Sequence, residues 1–131
     1  MRTLIVEDDF ISRFLLQSFL APYGECYAVI NGREAVEAFR LAKDSEAGFD
    51  VICMDIMMPE MDGQAALAKI RALEASAGTV PGEGVKIIMV TAVPDIKVMA
   101  TSFQLGCDAY LRKPVDTEEL LQYLRSFNLV P

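Results

Sequence analysis

Three acids in a row, Glu7, Asp8 and Asp9, close the apolar run Thr3-Leu4-Ile5-Val6, and a further aspartate, Asp55, closes Val51-Ile52-Cys53-Met54. An ionised carboxylate at the end of apolar backbone is costly unless something offsets its charge. Thr91 ends another apolar run, and Lys113 follows a shorter one just before Pro114. Brought together, these residue types have a definite chemistry. Carboxylates within a few ångströms repel one another, and their proton affinities rise unless a cation is present. A hard divalent cation meets that need with oxygen ligands; magnesium suits two or three carboxylates plus water and commonly works beside a phosphoryl group. Lys113 adds a compact ammonium and Thr91 a hydroxyl donor. An aspartate in such company is arranged as a nucleophile toward phosphorus, with the protein contributing positioning and electrostatics.

Other chemistries are excluded or disfavoured. The chain has no histidine, so a Ser-His-Asp or Cys-His relay cannot form. Cys26, Cys53 and Cys107 are odd in number and form no CxxC spacing, which argues against a zinc site. Cys26 and Cys53 lie in apolar runs and read as buried packing, whereas Cys107, after a glycine, reads as more exposed. A formal charge of −7, from 19 acids against 12 bases, with no basic run, argues against a nucleic-acid surface. At 131 residues, 14.4 kDa, 53% hydrophobic and mean hydropathy +0.30, the chain suits one domain over residues 1–131 with a real core. Its apolar runs are strand-sized, far short of a membrane span. The first is broken at once by acids, unlike a signal peptide. A cytoplasmic protein without membrane contact is expected.

The elements that must position these residues alternate along the chain. Thr3–Val6 is a continuous apolar run, as in a strand covered on both faces. Over residues 10–21, Ile11, Phe14, Leu15 and Phe19 recur at helical spacing until Pro22 stops the pattern. A second strand is expected over 25–30, a turn at Asn31-Gly32, and a helix over 33–43 with Val36 and Phe39 on one face. The third strand covers 49–54 and a helix 64–77, followed by a loop over 78–84 that reads as a tolerated insertion. A strand over 85–90, a helix over 95–105 stopped by Gly106, and a short strand over 109–111 follow. Asp116-Thr117-Glu118-Glu119 has the form of a capping box and opens a last helix with Leu120, Leu121, Leu124 and Phe127 inward. Five strands alternating with five helices demand an α/β fold, a doubly wound parallel sheet with helices on both faces. In such sheets ligands bind outside the carboxyl ends of the strands, where Glu7, Asp8, Asp9, Asp55, Thr91 and Lys113 all fall.

At this point a family resemblance becomes specific. Val6-Glu7-Asp8, the stretch Met54-Asp55-Ile56-Met57-Met58-Pro59-Glu60-Met61-Asp62-Gly63, Val90-Thr91-Ala92 and Tyr110-Leu111-Arg112-Lys113-Pro114 occur in that order. Over about residues 3–127 the chain resembles the receiver domain of two-component response regulators, CheY-like proteins of flavodoxin-like fold with strand order 2-1-3-4-5. The resemblance implies that Asp55 is the phosphoacceptor. Asp8 would bind Mg²⁺ directly (manganese substituting), Glu7 through water, and the Met57 backbone carbonyl would complete the protein ligands. Thr91 and Lys113 would contact the phosphoryl oxygens, Lys113-Pro114 would be a cis peptide, and Tyr110 would be an aromatic switch beside the small Ala92. Either Glu7-Asp8 or Asp8-Asp9 could be the metal pair. Glu7-Asp8 is preferred because Val6 then closes the strand directly before it, leaving Asp9 to cap the first helix.

By the same resemblance the phosphoryl donor is a histidine kinase or histidine phosphotransfer protein. The switched surface is the face of the fourth helix, fifth strand and fifth helix, which an unnamed downstream protein reads; a homodimer through that face stays open. The protein would be no enzyme beyond its own phosphorylation and dephosphorylation. Met57 and Val93, two residues beyond Asp55 and Thr91, are apolar and cannot orient an attacking water, so self-dephosphorylation is expected to be slow. Two alternatives rank lower. A constitutive interaction module of the same fold would be expected to lack an acid, the Thr or the Lys, and none is missing. An aspartate-nucleophile phosphatase would carry a second aspartate where Met57 stands.

Overall fold

The computed structural model of the chain describes residues 1–45, 47–58, 60–92 and 95–131. Its elements are β1 (Thr3–Val6), α1 (Phe10–Leu20), a 3₁₀ turn (Ala21–Tyr23), β2 (Cys26–Val29), α2 (Gly32–Asp44) and β3 (Val51–Asp55). They continue with α3 (Gly63–Ser76), β4 (Lys86–Thr91), α4 (Ile96–Leu105), β5 (Ala109–Arg112) and α5 (Thr117–Ser126). The strands form one sheet in the order β2-β1-β3-β4-β5, parallel throughout, which is the expected doubly wound topology. The register sets Val6 beside Met54, Asp55 beside Val90 and Thr91 beside Arg112, so the strand ends that carry the polar residues share one edge.

Alternation along the strands builds two cores. Leu4, Val6, Ile52, Met54, Ile87 and Met89 face one side, where α2, α3 and α4 cover them with Phe39, Leu67, Ile70 and partly buried Leu105. Ile5, Val51, Cys53, Ile88, Val90 and Leu111 face the other, covered by Leu16 and Leu20 of α1 and Leu120 and Leu124 of α5. Each of the five α-helices starts at a side chain that accepts a backbone N–H: Asp9, Asn31, Asp62, Asp95 and Asp116. These caps answer the orphan donors of a first turn and fix where each helix leaves the site edge.

The structure gives α1 its covered face, corrects the two cysteine readings and shows what holds the loop over 78–84. Of the apolar residues that recur at helical spacing in α1, Phe19 packs partly against the core, whereas Ile11, Phe14 and Leu15 lie off the covered face. Leu16 and Leu20 are buried instead, while Phe10, Ile11, Phe14 and Leu15 are 67%, 65%, 58% and 62% exposed. Cys107 is buried rather than exposed, because the chain turns back into the sheet directly after Gly106; Cys26 is only half-buried. The loop over 78–84 is anchored on a buried carboxylate: Glu74 pairs with Arg71 at 2.6 Å and accepts the Val85 N–H at 2.7 Å, while its carbonyl accepts the Thr79 N–H at 3.0 Å. No helix among the described residues is long and apolar enough to cross a membrane.

Candidate functional site

Asp55 is the last residue of β3 and is buried, so its carboxylate stands at the sheet edge with little water around it. Directly after it the backbone turns: the Ile56 N–H donates to the Val90 carbonyl (3.1 Å) and the Gly63 N–H to the Ile56 carbonyl (2.9 Å). A Cβ on Gly63 would lie 2.3 Å from the Asp55 carbonyl oxygen, so only glycine admits this close return of the chain. Glu7 continues β1, its N–H donating to the Val29 carbonyl at 3.0 Å, and is buried as fully as a core residue. Asp8 is exposed at the mouth. Carboxylate oxygens of Glu7, Asp8 and Asp55 all lie within 4.8 Å of one another.

Lys113 reaches this group from the end of β5. Its ammonium pairs with Glu7 through a very close contact and lies 3.4 Å from Asp55 Oδ2, while its backbone N–H donates to the Thr91 carbonyl at 2.8 Å. The Lys113-Pro114 peptide is cis, as expected. Thr91 is buried at the end of β4. The Met57 N–H donates to Asp55 Oδ1 at 3.3 Å, and its side chain is exposed. Asp9 turns away from the cluster and caps α1, accepting the Ser12 N–H at 2.9 Å; that bond holds its carboxyl below the usual range. The preferred pair Glu7-Asp8 is therefore the one that converges with Asp55.

Burial pushes the Glu7 carboxyl above its ordinary value; the Lys113 hydrogen bond opposes this, and the neighbouring Asp55 adds to it. For Lys113, burial pulls the pKa down, but bonding to Glu7 and the charge of Asp55 outweigh it and leave the ammonium more basic than usual. With all three acids ionised, one ammonium leaves two negative charges uncompensated, the deficit that a single divalent cation fills. The oxygen-only donor set suits a hard cation such as Mg²⁺.

Tyr110 is half-buried, its ring 6.5 Å from that of Phe103, and burial raises its pKa with the Thr91 side chain opposing. Its hydroxyl is enclosed and makes no hydrogen bond of ordinary geometry among the described residues. It lines a groove of about 540 Å³ between α4 and α5, with Ile96, Met99, Tyr123, Asp116 and Glu119. Val93 lies outside the described residues, as do Pro59, Pro94 and Glu46.

Residue types alone did not single out Arg13, whose guanidinium donates to the carbonyls of Glu7 (3.0 Å) and Asp8 (3.4 Å) and so fixes the acidic turn. A base one turn into α1 was the available signal. Nor did they single out Asn31 and Glu60, which join the turn after β2 to the loop after Asp55.

Known proteins share this fold and much of this sequence. The chain is 33% identical over 125 residues to Probable transcriptional regulator ycf27 of Guillardia theta, covering 95% of this chain and 44% of that protein. It therefore spans less than half the length of that relative. The receiver domain of the histidine kinase CKI1 from Arabidopsis thaliana, solved with Mg²⁺ and BeF₃⁻, superposes with a TM-score of 0.81 at 31% identity over 97% of this chain and 89% of that one. A chain of the Saccharomyces cerevisiae co-crystal between the histidine phosphotransfer protein Ypd1 and the receiver domain of its downstream response regulator Ssk1 matches with a TM-score of 0.83 at 30% identity, covering 97% and 88%. The response regulator receiver domain model matches residues 3–125, a span that holds every acid of the cluster together with Thr91 and Lys113, and by that match the chain belongs to the receiver domain family of two-component signalling.

Proposed function

We propose that this receiver domain is a phosphorylation-dependent switch whose acceptor is Asp55. The carrying observation is the convergence of the Glu7, Asp8 and Asp55 carboxylates within 4.8 Å of one another, with an ammonium 3.4 Å from Asp55. Glu7, Asp8, Asp55 and the Met57 backbone carbonyl would hold the cation. Bound Mg²⁺, or Mn²⁺ in its place, supplies charge neutralisation at the phosphoryl oxygens. An Asp55 carboxylate oxygen attacks phosphorus in line as the bond to the donor nitrogen of a phosphohistidine breaks, leaving an acyl phosphate on Asp55 and a free imidazole on the donor. Lys113 leaves Asp55 for the incoming oxygens, which Thr91 also meets. These 131 residues hold no histidine, so the donor histidine lies outside them, in a histidine kinase or a histidine phosphotransfer protein.

The exposed Phe10, Ile11, Phe14 and Leu15 of α1 flank the mouth of the site and suit docking of that donor. The α4–β5–α5 face, with its acidic and aromatic groove, suits the downstream protein. Tyr110 already has an enclosed hydroxyl, so the switch lies in how firmly its ring is held there rather than in a swing from full exposure. Three unpaired thiols fit a reducing, cytoplasmic setting.

Intact mass after incubation with acetyl phosphate tests the reading. The native chain should gain one phosphoryl group only with Mg²⁺, and Asp55→Asn none. The loaded chain should lose the group slowly, and faster in Met57→Asn. No gain by folded native protein would leave a constitutive interaction module instead.

A further inference from the structure

The loop after Asp55 is tied down at a second place. Gly32, the first residue of α2, donates its N–H to the Met61 carbonyl at 3.0 Å, and a Cβ there would lie 2.5 Å from the same oxygen. The start of α2 and the loop thus touch backbone to backbone. Beside that contact, the Glu60 carboxylate accepts from Asn31 Nδ2 at 3.3 Å and from Arg33 Nε at 3.1 Å. Glu60 has φ +66°, a conformation unfavourable for a residue with a Cβ and one that persists where neighbours enforce it. The Arg33–Glu60 pair is exposed at both ends and contributes little alone.

Asn31 differs. It is buried, and its Oδ1 accepts the Glu34 N–H at 2.8 Å as the cap of α2, which fixes its amide so that Nδ2 faces Glu60. A buried amide donating to a carboxylate is a charge-assisted bond. One side chain therefore starts α2 and holds the loop in which Met57 follows Asp55.

We infer that Asn31 and Glu60 are positioning residues of the phosphoryl site, setting the path of the loop between Asp55 and α3 so that the Met57 carbonyl is held ready for the cation. This rests on the metal reading of the site given above. A merely structural role would predict that breaking the tie lowers stability and leaves cation affinity alone.

Asn31→Asp separates the two. Aspartate caps a helix as well as asparagine does, but it sets a carboxylate against Glu60. Adding Glu60→Gln exchanges donor and acceptor and restores the bond. The Mg²⁺ dissociation constant, read from amide chemical shifts in a magnesium titration, should rise about tenfold in Asn31→Asp, as for other groups that orient metal ligands. It should return to near the native value in the double variant, with melting temperatures recorded alongside. Unchanged affinity in Asn31→Asp, or a loss that the double variant fails to restore, overturns the inference. If Asn31→Asp does not fold, Glu60→Ala decides: it breaks the tie without touching the α2 cap, and native affinity in it overturns the inference. Absence of Mg²⁺ binding by the native chain would overturn instead the metal reading beneath it.

Discussion

Lys113 must satisfy two carboxylates at once, and it does not satisfy both fully. Its ammonium sits on Glu7 and is looser on Asp55. Burial therefore still governs Glu7, which takes up a proton more readily than a free glutamate, while the bonds to both acids hold the proton on Lys113. Because the folded-state pKa of Glu7 lies above 4.5, its protonation favours the folded state. That contribution is fully present below 4.5 and is lost as pH rises through the folded value. A bound cation requires the ionised form. Magnesium affinity should thus weaken on acidification through the window that begins at Glu7's raised pKa, and binding there should release a proton. Titrating Mg²⁺ across pH for the native chain and for Glu7→Gln checks this: the variant should lose that part of the slope, and an identical slope would refute it. The acids of the site could be read from the sequence because they stand at the ends of apolar runs together with Thr91 and Lys113, although the same pattern also holds Asp9, which only caps α1. Arg13, Asn31 and Glu60 could not, since they act through backbone carbonyls and loop contacts that only the fold brings together.

Helix α1 shows what periodicity does and does not carry. An apolar residue at every third or fourth place announces a stripe, but α1 has two, and spacing alone does not say which one meets the sheet. The inner stripe, Leu16 and Leu20, packs with Ile5, Val90 and Leu111, while Phe10, Ile11, Phe14 and Leu15 stay in water. Arg13 lies over the Phe10 ring at 5.6 Å and Phe10 stacks near Phe14 at 6.3 Å, so the outer stripe orders itself without a core. Denaturant midpoints should separate the two. Leu16→Ala should cost about 2–5 kcal/mol, as a core truncation does, whereas Phe14→Ser should stay within about 0.5 kcal/mol, as surface changes usually do. A large loss in Phe14→Ser would mean that the outer stripe supports the fold. The other elements were easier to read from sequence, because a single polar cap and a single stripe agree, as with Asp116, Leu120 and Leu124 in α5.

The parallel, doubly covered sheet followed from the sequence because buried parallel strands leave a continuous apolar run and alternate with helices, whereas the strand order came from the family resemblance. What the runs do not reveal is which strand residue serves which of the two cores. Ile52 belongs to the α2–α3–α4 side and Ile5 to the α1–α5 side, and both are fully buried. The acidic cluster of Glu7, Asp8 and Asp55 stands beyond the last core residues of β1 and β3, with the exposed Asp8 outermost. Cation binding to the native state alone should stabilise by an amount set only by concentration and affinity, about 2.7 kcal/mol at a hundredfold excess over Kd. Core truncations and Mg²⁺ should then act additively, as distant independent sites do. Ile52→Ala and Ile5→Ala should each lower the unfolding free energy by about 2–5 kcal/mol and keep the native magnesium increment. Asp8→Ala should keep the native stability without metal and lose the increment. If either core variant loses the increment while its fold persists, the position of the carboxylates depends on the packing beneath them. The sheet edge would then be part of the core's cooperative unit rather than a platform carried above it.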